Sequence, residues 1–248
     1  MQATAASASP DPVWETRVNL AALYRVFEHC GWSDLVYTHI SARVPAEADK
    51  YFINAYGLLF DEICASNLVM VDFDGHVVSG IGSYNKAGHG IHSAILRARP
   101  DINYVLHSHT RAGAAVSSMR CGLLPISQPA LALSSTLAYH TYGVSDNAEE
   151  GPRVVRDLGQ NFAMLLQNHG LLVCGRTAAE AFLYHYFLDL ACGVQVDVLR
   201  ATNDYVTPPA DEIQKLAEWG APRAKPWGDV PWKAMMRLLE RKDASFKS

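Results

Sequence analysis

The stretch that decides the fold is residues 87–117, AGHGIHSAILRARPDINYVLHSHTRAGAAVS. From His89 onward the apolar residues recur at helical spacing until Pro100 ends the helix. Tyr104–His107 is predicted to be a short strand that leads into a His-Ser-His motif, and Arg111–Met119 a further helix. This close alternation of helix and strand predicts an α/β chain.

Strands and helices also alternate outward from this stretch. The sequence predicts helices at 13–31 and 152–158, and strands at 35–43, 51–53, 68–73, 76–79, 137–142, 162–166 and 171–174. Asp74-Gly75 is a hairpin turn, and Thr177 with Glu180 predicts a capping box that starts a long helix. Because short hairpins interrupt the alternation, we expect a mixed or antiparallel sheet rather than a doubly wound parallel one.

Three segments differ in composition. Residues 1–12 are small, polar and Pro-containing, which predicts a disordered tip. Residues 13–205 carry the periodic elements and are predicted to form one domain. Residues 206–248 are richer in Pro and Trp, and we expect this C-terminal extension to pack on the domain or on a neighbouring subunit.

The bulk composition excludes several classes of protein. The 248 residues are 49% apolar and 19% charged, which is a globular balance. The net charge of −4, without a long basic cluster, argues against nucleic acid as a partner. The five cysteines include no CxxC pair, and the chain shows neither a secretory signal nor an apolar run of membrane-spanning length. We therefore predict a cytoplasmic protein without a membrane partner.

Histidine placement suggests a metal site. His107 and His109 are two residues apart in extended chain, so both imidazoles point to the same face and can bind one ion. His169 lies in another turn between strands and can complete a set of three. Imidazole suits Zn, Mn, Fe and Co, and three protein ligands leave a position for substrate. A chance His-x-His on a half-buried strand is the alternative interpretation.

The neighbouring residues resemble the class II aldolase/adducin family. The likeness covers residues 87–117 and continues through residues 38–44 (THISARV), 54–78 (NAYGLLFDEICASNLVMVDFDGHVV) and 165–182 (LLQNHGLLVCGRTAAEAF). It implies a three-layer α/β/α fold with a central mixed, largely antiparallel sheet. It also implies a homotetramer with active sites at subunit interfaces.

The resemblance further implies one divalent ion held by His107, His109 and His169. Zn is the first expectation for this ion, with Mn, Fe and Co as alternatives.

Two departures from the family pattern limit the activity that the resemblance implies. The aldolases place a catalytic Glu four residues before the His that matches His92, where this chain has Gly88. Their Gly-Asn before Ile-Ser is replaced by Thr38-His39, which argues against a phosphosugar substrate. The chain resembles the adducin-like bacterial branch, which lacks that Glu.

Several other residues are candidates for the chemistry. His89 is predicted as a general acid/base, because it lies one residue from the position of the missing Glu. Arg111 is predicted to clamp a substrate carboxylate and to act in catalysis, and Tyr142 to act in catalysis. Lys86 and His140 are predicted to bind substrate. The alternative for His89, Lys86 and Arg111 is an ordinary surface role.

These features favour a metal-dependent lyase that cleaves a C–C bond in a small hydroxy-, oxo- or aromatic acid, by retro-aldol reaction or decarboxylation. A divalent ion stabilises the negative charge that both reactions develop next to a carbonyl. Two alternatives remain open: a non-catalytic, adducin-like assembly domain, and a non-haem iron oxygenase on the same scaffold.

Overall fold

The structure of the protein, a computed structural model, describes residues 11–143 and 149–248. The strands in these ranges are β1 (His39–Val44), β2 (Glu47–Ile53), β3 (Val69–Asp72), β4 (Val77–Ser79), β5 (Tyr104–Ser108), β6 (Leu137–His140), β7 (Ala163–Leu166) and β8 (Gly170–Gly175). The helices are α1 (Pro12–Cys30), α2 (Lys86–Ala98), α3 (Arg111–Ser117), α4 (Gln128–Leu133), α5 (Glu150–Leu158), α6 (Ala178–Ala201), α7 (Ala210–Gly220) and α8 (Asp229–Lys242).

All of these strands belong to one sheet, in the order β4-β3-β2-β1-β5-β8-β7-β6. Every neighbouring pair is antiparallel except β6 and β7, which run parallel. The prediction of a mixed, largely antiparallel sheet is confirmed. In its centre β5 lies between β1 and β8, and His107 of β5 lies opposite His39 on one side and Leu172 on the other.

Helices cover both faces of the sheet. On one face α2 packs against α5, and on the other α6 packs against β8, α3 and α4. Alternation along β5 separates the two faces, because successive side chains of a strand point in opposite directions. His107 lies on the α2 face beside His39, whereas the hydroxyl of Ser108 contacts His185 of α6 at 2.7 Å. The predicted three-layer α/β/α arrangement is therefore confirmed.

Turn and cap residues form the ends of the elements much as the sequence predicts. Gly31 ends α1 in the left-handed conformation (φ 70°), and Gly75 turns the β3–β4 hairpin at φ 91°. Thr177 caps α6 by accepting a hydrogen bond from the Glu180 N–H. The reciprocal half of the capping box is absent. The Glu180 carboxylate instead accepts hydrogen bonds from the backbone N–H and the guanidinium of Arg176. This arrangement is favoured because the guanidinium also forms an ion pair with the carboxylate.

The chain after residue 205 forms two helices that pack on the rest. Helix α7 contacts α4, and α8 contacts α6 and α1. The sequence did not predict α4, α7 or α8 as elements. Of the predicted N-terminal tip, residues 1–10 lie outside the described residues, and Pro12 already belongs to α1.

None of the helices in the described ranges is long and apolar enough to span a membrane. All five cysteines are free thiols.

The phenol of Tyr24 connects α1 to β1 and to the end of β2. This fully buried hydroxyl donates to the Ile40 carbonyl at 2.5 Å and accepts from the N–H groups of Ile40 (2.8 Å) and Asn54 (3.1 Å). Ile40 lies one residue from His39, so this contact also fixes the part of β1 that borders His107. Buried backbone groups that lose such a partner carry the full cost of desolvation.

We predict that Tyr24→Phe lowers the free energy of unfolding by about 1–3 kcal/mol, because Ile40 and Asn54 lose a buried partner. Urea denaturation followed by circular dichroism measures this change. Tyr205→Phe, at a partly exposed tyrosine, is the matched control and should change stability by less than about 0.5 kcal/mol. Equal stabilities of the two variants would contradict the role given to Tyr24.

Candidate metal centre

Three imidazoles converge on the α2 face at the end of β5. His107 lies in β5, His109 follows the strand, and His169 lies in the turn between β7 and β8. The Nε2 atom of His109 lies 2.9 Å from Nε2 of His107 and 2.9 Å from Nε2 of His169. One nitrogen from each ring lies within 4.8 Å of the others, and no other group of this kind is found among the described residues.

Local backbone chemistry brings His169 to this position. Asn168 adopts a left-handed conformation (φ 56°), which Asn tolerates better than most residues, and this turns the chain sharply between β7 and β8. The next residue, Gly170, passes close to β5. A Cβ atom at Gly170 would lie 2.3 Å from the Ser108 carbonyl oxygen, so only glycine allows this approach.

Hydrogen bonds on the far side of two rings fix which nitrogen faces the centre. His107 Nδ1 lies 2.9 Å from the Leu171 carbonyl oxygen, and His109 Nδ1 lies 2.9 Å from the Asp34 carboxylate. Both partners are acceptors, so Nδ1 of each ring is the donor in these bonds, and the Nε2 atoms face the centre. Carbonyls and carboxylates commonly hold metal-binding histidines in this orientation.

Burial favours the uncharged form of two of these rings, His107 and His169. Desolvation, followed by the charges of His39, His169 and His109, holds the pKa of His107 well below its usual value. Desolvation, followed by the charge of His109, lowers the pKa of His169 to about 4. Protons therefore compete weakly for these two rings near neutral pH, and the rings are free to bind a cation.

The donor set fits a divalent metal ion. Lone pairs of His107 and His109 that point at each other across 2.9 Å repel, and a cation between them turns this repulsion into attraction. Neutral imidazole nitrogens are ligands that Zn, Mn, Fe and Co accept.

A narrow pocket adjoins His169 and contains two of the predicted site residues. Tyr142, His140 and Glu150 line it together with His169. The two ring nitrogens of His140 face carboxylates, Nδ1 at 2.7 Å from Asp157 and Nε2 at 2.9 Å from Glu150. His140, predicted to bind substrate, thus has no free nitrogen for it and instead orients Glu150.

The Glu150 carboxylate is held in place from two sides. It contacts His140, and it accepts from the Arg153 guanidinium at 2.6 Å. It is nearly fully buried, and a Cβ atom at Gly143 would lie 2.2 Å from its Oε1 atom. Gly143 therefore provides the space that the carboxylate occupies. The phenol of Tyr142, 61% exposed, borders the same pocket.

His89 does not lie with the three imidazoles. Its Nδ1 contacts the Tyr51 hydroxyl at 2.6 Å, and its ring lies beside Tyr84 and Gly75 under the β3–β4 hairpin. The physical reason is helix geometry: one residue along α2 rotates the side chain by about 100°, away from the direction of Gly88. The predicted acid/base role of His89 therefore has no support from the geometry.

Lys86 and Arg111 are both exposed. Neither forms a hydrogen bond or ion pair among the described residues, so both cations remain available to an anionic partner. Lys86 starts α2, and Arg111 lines a groove against Val196 and Asp197 of α6. The structure brings neither of them into the pocket beside His169.

The sequence analysis did not name Asp34, Glu150 or His39 as site residues, although Asp34 and Glu150 contact histidines of this region and His39 lies beside His107. Asp34 is 75 residues from His109, and Glu150 is ten residues from His140. An isolated carboxylate carries no local pattern that marks such a contact. His39 had one indication, because it stands where the resembling family has Asn.

Comparison with known proteins agrees with the fold. The model of the Class II Aldolase and Adducin N-terminal domain matches residues 18–196. An aldolase II superfamily protein from Pseudomonas syringae is 45% identical, with a TM-score of 0.92 and 98% coverage of both chains. L-fuculose 1-phosphate aldolase from Glaciozyma antarctica is 27% identical, with a TM-score of 0.83 and coverage of 97% of this chain and 96% of that one.

Adducins are also similar to this chain. Alpha-adducin from Rattus norvegicus is 40% identical over 242 residues, which cover 90% of this chain. The same match spans only 33% of the adducin.

We predict that Asp34→Ala weakens Zn²⁺ binding about 10–100-fold, because His109 loses the carboxylate that orients it. Competition against a chromophoric chelator measures the dissociation constant. Asp61→Ala removes an exposed carboxylate elsewhere and is the matched control, with unchanged affinity expected. If both variants bind Zn²⁺ as the wild type does, Asp34 has no part in the centre.

Proposed function

We propose, from the premise that this chain belongs to the class II aldolase and adducin family, that it is a divalent-metal-dependent lyase. Its reaction is the cleavage of a C–C bond in a small hydroxy-, oxo- or aromatic acid, by retro-aldol reaction or decarboxylation. The observation that carries the proposal is the convergence of the His107, His109 and His169 nitrogens.

These three residues would hold one ion, with Zn as the first expectation and Mn, Fe or Co as alternatives. When bound, the ion supplies a positive charge that stabilises the enolate-like oxygen formed as the C–C bond breaks. The chain's own task is then to orient the substrate and to move a proton. Retro-aldol cleavage and decarboxylation both leave an electron pair on carbon, which must be protonated.

Tyr142 is the proposed proton donor. Its phenol borders the pocket that His169 and Glu150 line, and phenols serve as general acids in enzymes. Glu150 is held by His140 and Arg153, so its carboxylate has a fixed direction in which to accept a hydrogen bond from substrate. Arg111 and Lys86 remain proposed partners for a substrate carboxylate.

The pocket beside His169, with a volume of only about 10 Å³, offers no Lys or Arg in the described part of the chain that would bind a phosphate group. Among the described residues that line it, apolar side chains alternate with Tyr142, His140 and Glu150, and Lys and Arg are absent. The absence of a cationic side chain from these described lining residues agrees with the prediction, made from Thr38-His39, of a substrate without a phosphate group.

A second candidate function is a non-catalytic assembly role like that of an adducin. The 40% identity to alpha-adducin over 90% of this chain favours it. An oxygenase reaction with Fe at the same three histidines is the remaining alternative. We further propose that the protein is a cytoplasmic homotetramer whose active sites lie at subunit interfaces.

We predict that His107→Ala and His109→Ala each abolish the retention of metal without unfolding the chain, because each removes one of three ligands. Elemental mass spectrometry of protein purified without a His tag measures metal per chain. Circular dichroism reports the fold. His29→Ala, at an exposed histidine, is the control and should retain the wild-type metal content.

A screen of hydroxy-, oxo- and aromatic acids tests the reaction itself. Turnover that a chelator removes and added Zn²⁺, Mn²⁺ or Co²⁺ restores is the expected result, with CO₂ release indicating decarboxylation and an aldehyde or ketone product indicating retro-aldol cleavage. O₂ consumption with Fe²⁺ alone would favour the oxygenase. A folded protein that takes up no metal and turns over nothing would favour the assembly role.

We predict that Tyr142→Phe lowers kcat about 100-fold or more on the substrate found by that screen, because the variant loses the proton donor. Metal content should stay at the wild-type level, since Tyr142 is not among the three ligands. Steady-state kinetics measure the change, with Tyr205→Phe as the control. A Tyr142→Phe enzyme of unchanged kcat would remove Tyr142 from the mechanism.

A further inference from the structure

Gly88 is a position where the structure leaves no room for a side chain. A Cβ atom there would lie 2.5 Å from His39 Nε2 and 2.6 Å from both His39 Cδ2 and His39 Cε1. Because these three ring atoms are almost equally distant, Gly88 faces the flat of the imidazole and not its edge. The in-plane direction of the Nε2 lone pair is therefore not blocked by Gly88.

The His39 ring lies beside the three converging imidazoles. His39 is directly opposite His107 in the β1–β5 register, so the two side chains share one face of the sheet. Their ring centroids are 5.2 Å apart, compared with 4.6–4.8 Å among His107, His109 and His169.

Buried neighbours hold the other side of the His39 ring. Its Nδ1 lies 2.9 Å from His92 Nε2, and His92 Nδ1 lies 2.6 Å from the Ser41 hydroxyl. When His92 Nδ1–H donates to the Ser41 hydroxyl, Nε2 of the neutral His92 ring can only accept a hydrogen bond. It accepts from His39 Nδ1–H, and the lone pair of the His39 ring then lies on Nε2.

His39 Nε2 itself has no hydrogen-bond partner among the described residues, although the residue is only 5% exposed. The lone pair of Nε2 is therefore available to a ligand.

We propose that His39 is a fourth imidazole donor of the metal centre, bound to the ion through Nε2, in space that Gly88 leaves open. The inference rests on the proposed function, because it requires that the centre binds an ion. The nitrogens of His107, His109 and His169 form the compact set, and His39 lies outside it. When the ion binds, His39 would join the three other ligands from the side of the centre that α2 covers.

Titration with Co²⁺ tests this proposal without any substrate. We expect His39→Ala to weaken Co²⁺ binding at least about tenfold and to change the visible absorption bands of the bound ion, because one nitrogen donor is lost. His39→Gln, which retains more of the side-chain volume, should show the same loss of affinity. Circular dichroism checks that both variants remain folded.

Gly88→Ala provides a second and independent variant. The added methyl group must displace the His39 ring, so it should weaken Co²⁺ binding in the wild-type background. In the His39→Ala background the space is empty, and the same substitution should have no further effect. This non-additivity distinguishes an effect through His39 from a general effect on α2.

The outcomes separate this inference from the proposed function. If neither the wild type nor His39→Ala binds Co²⁺, the metal centre as a whole is overturned. If His107→Ala abolishes Co²⁺ binding while His39→Ala changes the Co²⁺ affinity by less than about a factor of two, only the role of His39 is overturned. Additive losses in His39→Ala and Gly88→Ala would do the same.

Discussion

The antiparallel register of β5 with β1 and β8 is the constraint on which the site depends. It places His107 opposite His39 and Leu172, so that the histidine face of β5 looks toward α2 and the Ser108 face toward α6. A slip of one residue would exchange these faces and turn His107 into the layer that α6 covers. The pairing of β8 with β5 also brings the β7–β8 turn, and with it His169, to the end of β5.

Electrostatics explains why this cluster is suited to a cation. Desolvation keeps His107 and His169 neutral, while acceptors at the rear of His107 and His109 direct lone pairs toward a common point. The adjoining pocket is built differently, because there Asp157, His140, Glu150 and Arg153 form a chain of hydrogen bonds. A cation-accepting cluster beside an oriented carboxylate suits the proposed proton transfer next to a charged oxygen.

Relatives on this fold include a named aldolase and adducins, so the scaffold by itself does not specify the chemistry. In this chain the loss of a side chain at Gly88 and the presence of an imidazole at His39 occur together and occupy one space. The two positions are 49 residues apart in the chain, and only the packing of α2 against β1 makes them a pair.

The sequence by itself determined the fold class and most of the elements, because hydrophobic periodicity, Gly31, Asp74-Gly75 and the Thr177 cap are local patterns. It also determined that His107 and His109 share a face, since that follows from strand geometry alone. The resemblance to the family also named His169 as the third imidazole. Only the tertiary structure decided that Asp34 and Glu150 lie against histidines of this region, and that His89 points away under the hairpin. The reason is physical: contacts between residues far apart in the chain depend on sheet register and helix rotation, and neither quantity is encoded in the spacing of neighbouring residues.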